Sequence, residues 1–256
     1  MIDSHCHLEF KDFDEDRKDV IEKSKDRIKA VVDSCAEIEK AKDVIKLHRS
    51  HEDFIFPSLG LHPKRAIEAS YKELEDFKSF IRRRRNEIVA IGEVGLDNSQ
   101  ITDPRERKES KEIFAEFAKL SDDLDLPLVV HARDAMDETL RILKKYKKGD
   151  VVIHCFSGNV KQLREAMEED YYISLGGIIF RNEKKYERII DVLQVENLLL
   201  ETDAPFLAKK KSDRSEPWFI WDVAEKIAEV KGGNFQNVWK SAGKNAKEVF
   251  DLPIDI

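Results

Sequence analysis

The eight residues Met1–Leu8, MIDSHCHL, decide how the rest of the chain is read. Side chains alternate along a strand, so His5 and His7 point to one side and Cys6 to the other. Two imidazoles on one face at the end of a strand can grip a single cation. One buried histidine alone is more often a hydrogen-bonded core residue than a ligand. The reading of this stretch therefore depends on whether the remaining chain supplies partners.

Working outward, short apolar runs followed by amphipathic stretches recur along the chain, the pattern of parallel βα units. Eight strands are predicted, starting near Ile2, Lys29, Phe54, Ile88, Pro127, Val151, Tyr171 and Leu198. Helical periodicity fills the intervals at Arg17 to Lys25, Ile38 to His48, Leu74 to Arg84, Glu109 to Leu124, Ala135 to Tyr146 and Val160 to Glu169. Trp218 to Val230 and Val238 to Phe250 read as closing helices, separated by the Gly232-Gly233 stop. No Ser/Gly linker or low-complexity stretch divides the sequence. At 256 residues the chain matches the roughly 250 of one complete (β/α)8 barrel. The expected fold is thus an α/β TIM-type barrel, with residues 1–256 forming a single domain.

Partners for His5 and His7 do appear, and at corresponding places. Glu93, His131, His154 and Asp203 each fall at the C-terminal end of a predicted strand, the barrel face that carries active sites. Four of the seven histidines at strand ends, joined by two acids, are hard to produce by core packing. The constellation predicts a metal centre. Mixed imidazole and carboxylate ligands suit zinc, manganese or magnesium, with imidazole tilting the balance away from magnesium alone. Two ions ~3.5–4 Å apart need a bridging anion, and Glu93 with its two oxygens is the natural one. The strand from Ile88 to Glu93 contains no lysine, which separates the chain from barrel hydrolases bridged by a carbamylated lysine. His62 ends the third strand and is expected in the outer shell of the site, whereas His48 and His51 are expected to face solvent.

Composition narrows the class. With 41% hydrophobic and 38% charged residues the chain is globular rather than disordered, and no apolar run approaches the ~18 residues of a membrane span. The start lacks the basic and apolar regions of a secretory signal, so a cytoplasmic location is expected, with no obligate protein partner evident. Cys6, Cys35 and Cys155 form no even set and no CxxC pair, and are expected to be buried packing residues. A net charge of −7 argues against nonspecific coating of nucleic acid but leaves room for a local basic patch.

The words MIDSHCHL at 1–8, GLHP at 60–63, GEVGLD at 92–97, HARDA at 131–135, HCFSG at 154–158, GGI at 176–178 and LLLETDAPFL at 198–207 resemble the TatD family of metal-dependent deoxyribonucleases, in order and spacing along the whole chain. That resemblance implies that His5, His7, Glu93 and Asp203 hold one divalent ion and Glu93, His131 and His154 the other. It also implies a deoxyribonuclease acting on DNA, in single-stranded form. Asn98 stands where family members commonly carry Tyr after GLD, and Phe117 where they carry Gln; both departures concern substrate handling rather than metal binding.

The chemistry expected is hydrolysis of a phosphodiester by a metal-activated hydroxide, with Asp203 taking the proton and Glu201 orienting a histidine ligand. His62, Lys64, Arg133, Arg181, Lys210 and Arg214 follow predicted strands and are expected to bind substrate around the mouth. The Arg82–Arg85 run leads into strand four and belongs near the opposite face. Trp218, Phe219 and Trp221 are expected to pack in the core rather than stack on bases. The alternative activity is a binuclear hydrolase of a small phosphoester or cyclic amide.

Overall fold

The computed structural model describes residues 1–256. Its strands are β1 (Ile2–Cys6), β2 (Ala30–Cys35), β3 (Ile55–Leu59), β4 (Ala90–Asp97), β5 (Leu128–Arg133), β6 (Val151–Ile153), β7 (Tyr172–Leu175) and β8 (Leu198–Leu200). Each pairs in parallel with the next, giving one eight-stranded sheet in sequence order. Strands covered on both sides need not alternate in polarity, which is why β6 reads VVI and β8 reads LLL.

The ring is closed between β8 and β1 by bonds around the future site. Asp203 N–H donates to the His5 carbonyl at 2.9 Å, and His7 N–H to the Ala204 carbonyl at 2.8 Å. The Asp3 carboxylate, fully buried, accepts from the Thr202 N–H at 2.9 Å and from its hydroxyl at 2.6 Å. These elements form a TIM-type (β/α)8 barrel.

The helices are α1 (Arg17–Lys25), α2 (Ala41–Ser50), α3 (Pro63–Glu68), α4 (Tyr71–Arg83), α5 (Pro104–Asp123), α6 (Met136–Tyr146), α7 (Val160–Glu168), α8 (Glu183–Val192), α9 (Ile220–Val230) and α10 (Phe235–Val249). Local chemistry sets several ends. Helix α4 begins three residues before its apolar periodicity because Ser70 and Glu73 form a reciprocal cap, and α5 starts at Pro104 because Asp103 caps Arg105 and Glu106. Helices α3 and α8 were not anticipated. The first is only six residues, too short for a period to register, and starts where His62 Nδ1 accepts from Lys64 N–H. No helix is long and apolar enough to cross a membrane.

The barrel interior is layered. At the N-terminal end Ile2, Val32, Phe56, Val129, Val152 and Leu199 pack against Ala246, Val249, Phe250 and Leu252, so the last turns of α10 and the residues after it form an apolar floor. One step up the strands lies a layer of hydroxyls. Ser4 and Ser174 touch Oγ to Oγ at 3.0 Å, a contact between strands that are not neighbours and which therefore crosses the interior. Ser34 and Ser58 stand two residues beyond Val32 and Phe56, on the same face by strand alternation, and Ser58 donates to the Gly92 carbonyl at 2.8 Å.

Three sequence expectations about side chains are corrected. Trp221 is 48% exposed, because it lies on the outer face of α9 where it meets Phe235 and Trp239 of α10 rather than the barrel. His48 and His51 are half-buried, not free: His48 Nδ1 donates to the Ile55 carbonyl at 2.7 Å, and His51 Nδ1 lies 3.1 Å from the Lys25 ammonium. Cys6 and Cys35 are buried, while Cys155 is partly exposed.

Candidate metal centre

Two residues above the floor positions Val129, Val152 and Leu199 come His131, His154 and Glu201, so strand alternation alone carries these columns from apolar floor to polar mouth. Close packing of β4 brings Glu93 among them. Gly95, at φ +149°, lies so near β5 that a Cβ would stand 2.0 Å from the His131 carbonyl oxygen, and only glycine allows that approach. Asp203, just past β8, has φ +55°, a left-handed conformation that Asp tolerates better than most residues.

The expected ligands converge. A single oxygen of Glu93, Oε2, is 2.9 Å from His154 Nε2, 3.3 Å from His5 Nε2 and 4.0 Å from His131 Nδ1. Asp203 Oδ1 is 3.4 Å from His7 Nε2 and 3.7 Å from His5 Nε2. The two imidazole pairs face each other nitrogen to nitrogen, His5 to His7 at 3.2 Å and His131 to His154 at 3.1 Å. Ligands ~2.1 Å from one tetrahedral cation stand roughly 3.4 Å apart, so these separations suit shared cations. His7 presents the right nitrogen: its Nδ1 donates to the Ser34 carbonyl at 2.6 Å, leaving Nε2 as the lone pair facing the cluster.

Electrostatics tell the same story. Burial opposes the charge on Glu93, yet the His154, His5 and His131 imidazoles hold its pKa well below the usual carboxylate range. Burial likewise works against Asp203, and its hydrogen bond to His7 with the neighbouring histidines lowers it. His7 is raised to about 10, since Asp203, Glu9 and Glu93 outweigh burial. Buried acids here are thus neutralised by positive charge. Protons supply it on the bare chain, and divalent cations would displace them.

The structure also brings in residues that sequence reasoning passed over. Asp97 Oδ2 lies 3.4 Å from His131 Nε2, the nitrogen that points away from Glu93, and 3.9 Å from His62 Nε2. Its other oxygen accepts from Ser99 N–H at 2.9 Å and Gln100 N–H at 3.0 Å, which fixes the carboxylate. Glu93 and Asp97 sit four apart on β4, the same even spacing that links His5 and His7, and that was the signal to use. Glu9 is buried 4.0 Å from His7 Nδ1, with its pKa raised by burial and by Asp33. Glu201, which the sequence did single out, is fully buried, accepts from the Cys155 N–H at 2.7 Å and stands 3.8 Å from His154 Nδ1.

A cavity of about 500 Å³ opens above the cluster, its lining including His62, Lys64 and Arg65 together with Phe10 and Phe206. The residues expected to bind substrate divide. His62 and Lys64 line this cavity. Arg133 and Lys210 are exposed. Arg181 and Arg214 are committed to their own chain. Arg181 donates to the Ala208 and Lys209 carbonyls. Arg214 makes a two-pronged ion pair with Asp16 at 2.8 and 2.6 Å, reaches Glu216 at 3.1 Å and stacks its guanidinium on Phe13. Both bind the loop after β8 to the body, a use that a basic residue in a loop does not announce in sequence.

Comparison with known proteins gives the family of the chain. Residues 2–251 match the family described as TatD related DNase. An uncharacterized metal-dependent hydrolase of Bacillus subtilis, YabD, is 34% identical over 98% of this chain and 99% of its own length. The human protein named deoxyribonuclease TATDN3 is 32% identical over 98% of this chain and 94% of its own. Among solved structures, the TatD homologue YjjV of Escherichia coli superposes with a TM-score of 0.90 at 26% identity, covering 99% of this chain and 98% of that one. With the family matched from the first strand to beyond the last helix, and with a mouth rich in imidazoles and carboxylates, this chain belongs to the TatD family of metal-dependent hydrolases.

Proposed function

We propose that the protein is a deoxyribonuclease that hydrolyses phosphodiester bonds of single-stranded DNA at a centre for two divalent cations. The observation that carries this reading is Glu93, a buried carboxylate standing between the His5–His7 pair and the His131–His154 pair. A single carboxylate at that junction would be shared between two neighbouring cations. The deoxyribonuclease name of the human relative supports the choice of substrate.

His5, His7, Glu93 and Asp203 would hold one ion, and Glu93, His131 and His154 the second, with zinc or manganese favoured over magnesium by the imidazole count. When bound, such cations polarise a phosphoryl oxygen and lower the pKa of water toward about 7. Asp203 is the acid to receive the proton of the attacking water. Its side chain is 16% exposed against 6% for Glu93 and 0% for Glu201, so of these acids it is the one most open to the cavity. Glu201 positions His154 from behind. Lys64 in the cavity wall, with Arg133 and Lys210 around the mouth, would take flanking phosphates, and His62 would face the substrate from beside Asp97.

The test is an assay of protein stripped of metal and reloaded, with metal content measured by elemental analysis. Cleavage of an end-labelled single-stranded oligonucleotide that a chelator abolishes is the expected result, at two equivalents of metal per chain. An intact oligonucleotide alongside hydrolysis of a nucleoside monophosphate or a hydantoin would replace this reading with the small-substrate one. An Asp203→Asn variant retaining both metals and full rate would remove Asp203 as proton acceptor.

A further inference from the structure

Four large apolar side chains are left substantially exposed, Tyr71, Phe206, Trp221 and Ile256, and of these Phe206 alone lines the cavity above the metal cluster. It is 47% exposed. Its ring meets Phe10 edge to face at 5.7 Å between centroids with an interplanar angle of 83°, and Phe10 in turn stacks on His7 at 4.8 Å and 26°. The Phe206 centroid is 6.1 Å from that of His7. One wall of the cavity is therefore aromatic from its exposed rim down to an expected ligand.

This wall is held from several directions. Phe206 N–H donates to the Asp203 carbonyl at 2.8 Å, and Ser215 N–H to the Pro205 carbonyl at 3.0 Å. The next residue, Leu207, is locked by the close approach of Gly177, where a Cβ would stand 1.7 Å from the Leu207 carbonyl oxygen. Arg181 binds the two carbonyls beyond it. On the same wall, Arg17 donates to the Phe10 carbonyl at 2.9 Å. An exposed phenyl ring that packs no core, yet is fixed in place, is a surface prepared for a ligand. His62 and Lys64 line the same cavity, so it offers a π-face together with an imidazole and an ammonium group.

We propose that Phe206, supported by Phe10, is a stacking platform for the nucleobase adjoining the scissile phosphate, with the phosphate held toward His62 and Lys64. This rests on the nuclease reading above and deepens it. Base stacking on an aromatic face requires an unpaired base and tolerates every base identity, so the platform would select single strands without selecting sequence.

The experiment compares two end-labelled single-stranded oligonucleotides, identical except that one carries a tetrahydrofuran abasic residue at the cleaved terminus, using the metal-loaded wild-type, Phe206→Ala and Phe206→Trp proteins. The wild-type kcat/KM is expected to favour the base-bearing substrate by about tenfold. That ratio should fall to near one in Phe206→Ala and be kept or raised in Phe206→Trp. A terminal 2-aminopurine should lose fluorescence on binding to wild-type and Phe206→Trp but not to Phe206→Ala. Wild-type protein that cleaves both substrates equally, or a ratio that Phe206→Ala leaves unchanged, overturns the platform while the nuclease stands. Wild-type protein that cleaves neither overturns the nuclease, and the platform with it.

Discussion

The two ends of the barrel are built from the same strands and solve opposite problems. At the N-terminal end, Val129, Val152 and Leu199 meet Phe250 in a floor without charge. Two residues further along each strand, His131, His154 and Glu201 stand among acids whose charge burial disfavours. Buried nitrogens His5 Nδ1, His131 Nε2 and His154 Nδ1 have no hydrogen-bond partner, and neither does Glu201 Oε2. Buried polar atoms cost free energy when unpaired, so the mouth is stability given up for chemistry, and the floor is where stability is recovered.

The sharpest way to break this contrast is to remove the carboxylate at the centre of the mouth. Glu93→Gln should lower the rate by at least about 10⁴-fold, roughly 5.5 kcal/mol, while the melting temperature of the metal-free protein holds or rises. A metal-free variant that unfolds well below wild type would show that the mouth also stabilises the fold.

Phe250→Ala should do the reverse. Truncating this fully enclosed ring should cost roughly 3–5 kcal/mol in urea denaturation, with kcat of the folded fraction little changed. A large drop in kcat at low temperature, where the variant is folded, would mean that floor and mouth are coupled.

Asp97→Asn probes the mouth more finely. It keeps the shape but removes the negative charge 3.4 Å from His131 Nε2, and should reduce metal affinity or activity about 10–100-fold with little effect on unfolding. Calorimetric titration with zinc or manganese measures it.

The smallest effect belongs to the ion pair beside the floor. Asp122 holds the nearly enclosed Lys147 ammonium at 2.6 Å, and accepts from Lys148 and Gly149 N–H groups. Burial works against its charge, but Lys147 and these N–H groups bring its pKa below the ordinary 3.8. A carboxyl whose folded pKa is depressed stabilises fully above its unfolded value, and that contribution fades as pH falls through the folded one. Its share should therefore be constant from neutral pH down to about 5, begin to fade near about 4, and be lost only below the folded pKa. Asp122→Asn should cost about 1–2 kcal/mol at pH 7 and close the gap to wild type in acid. A gap that does not narrow as pH falls below about 4 would assign the loss to packing.

What the sequence made legible follows from the same geometry. Every predicted strand start lies within two residues of the observed one, because each strand is an apolar run ending in residues of distinct chemistry. Convergence of His5, His7, Glu93, His131, His154 and Asp203 was readable because parallel strands deliver their C-terminal residues to one end. Long-range pairing was not. Nothing local says that Arg214 is spent on Asp16, or that Arg181 holds carbonyls rather than phosphates. Asp97 escaped notice inside a motif, although its alternation with Glu93 was visible. Trp221 reads like Trp218 until the neighbouring helix determines which one is covered.

The seam between the first and last strands has a consequence for how activity arises. The groups that close it, the His5 carbonyl, the Asp203 amide and the Asp3 carboxylate with Thr202, adjoin the same residues that gather at the cluster. Asp3 and Thr202 stand 199 positions apart in the chain, so these are among the most nonlocal contacts in the molecule and carry a large loop-closure entropy. Closing the ring is therefore also what sets Asp203 beside His5 and His7, while Glu93, His131 and His154 are brought together by the pairing of β4, β5 and β6.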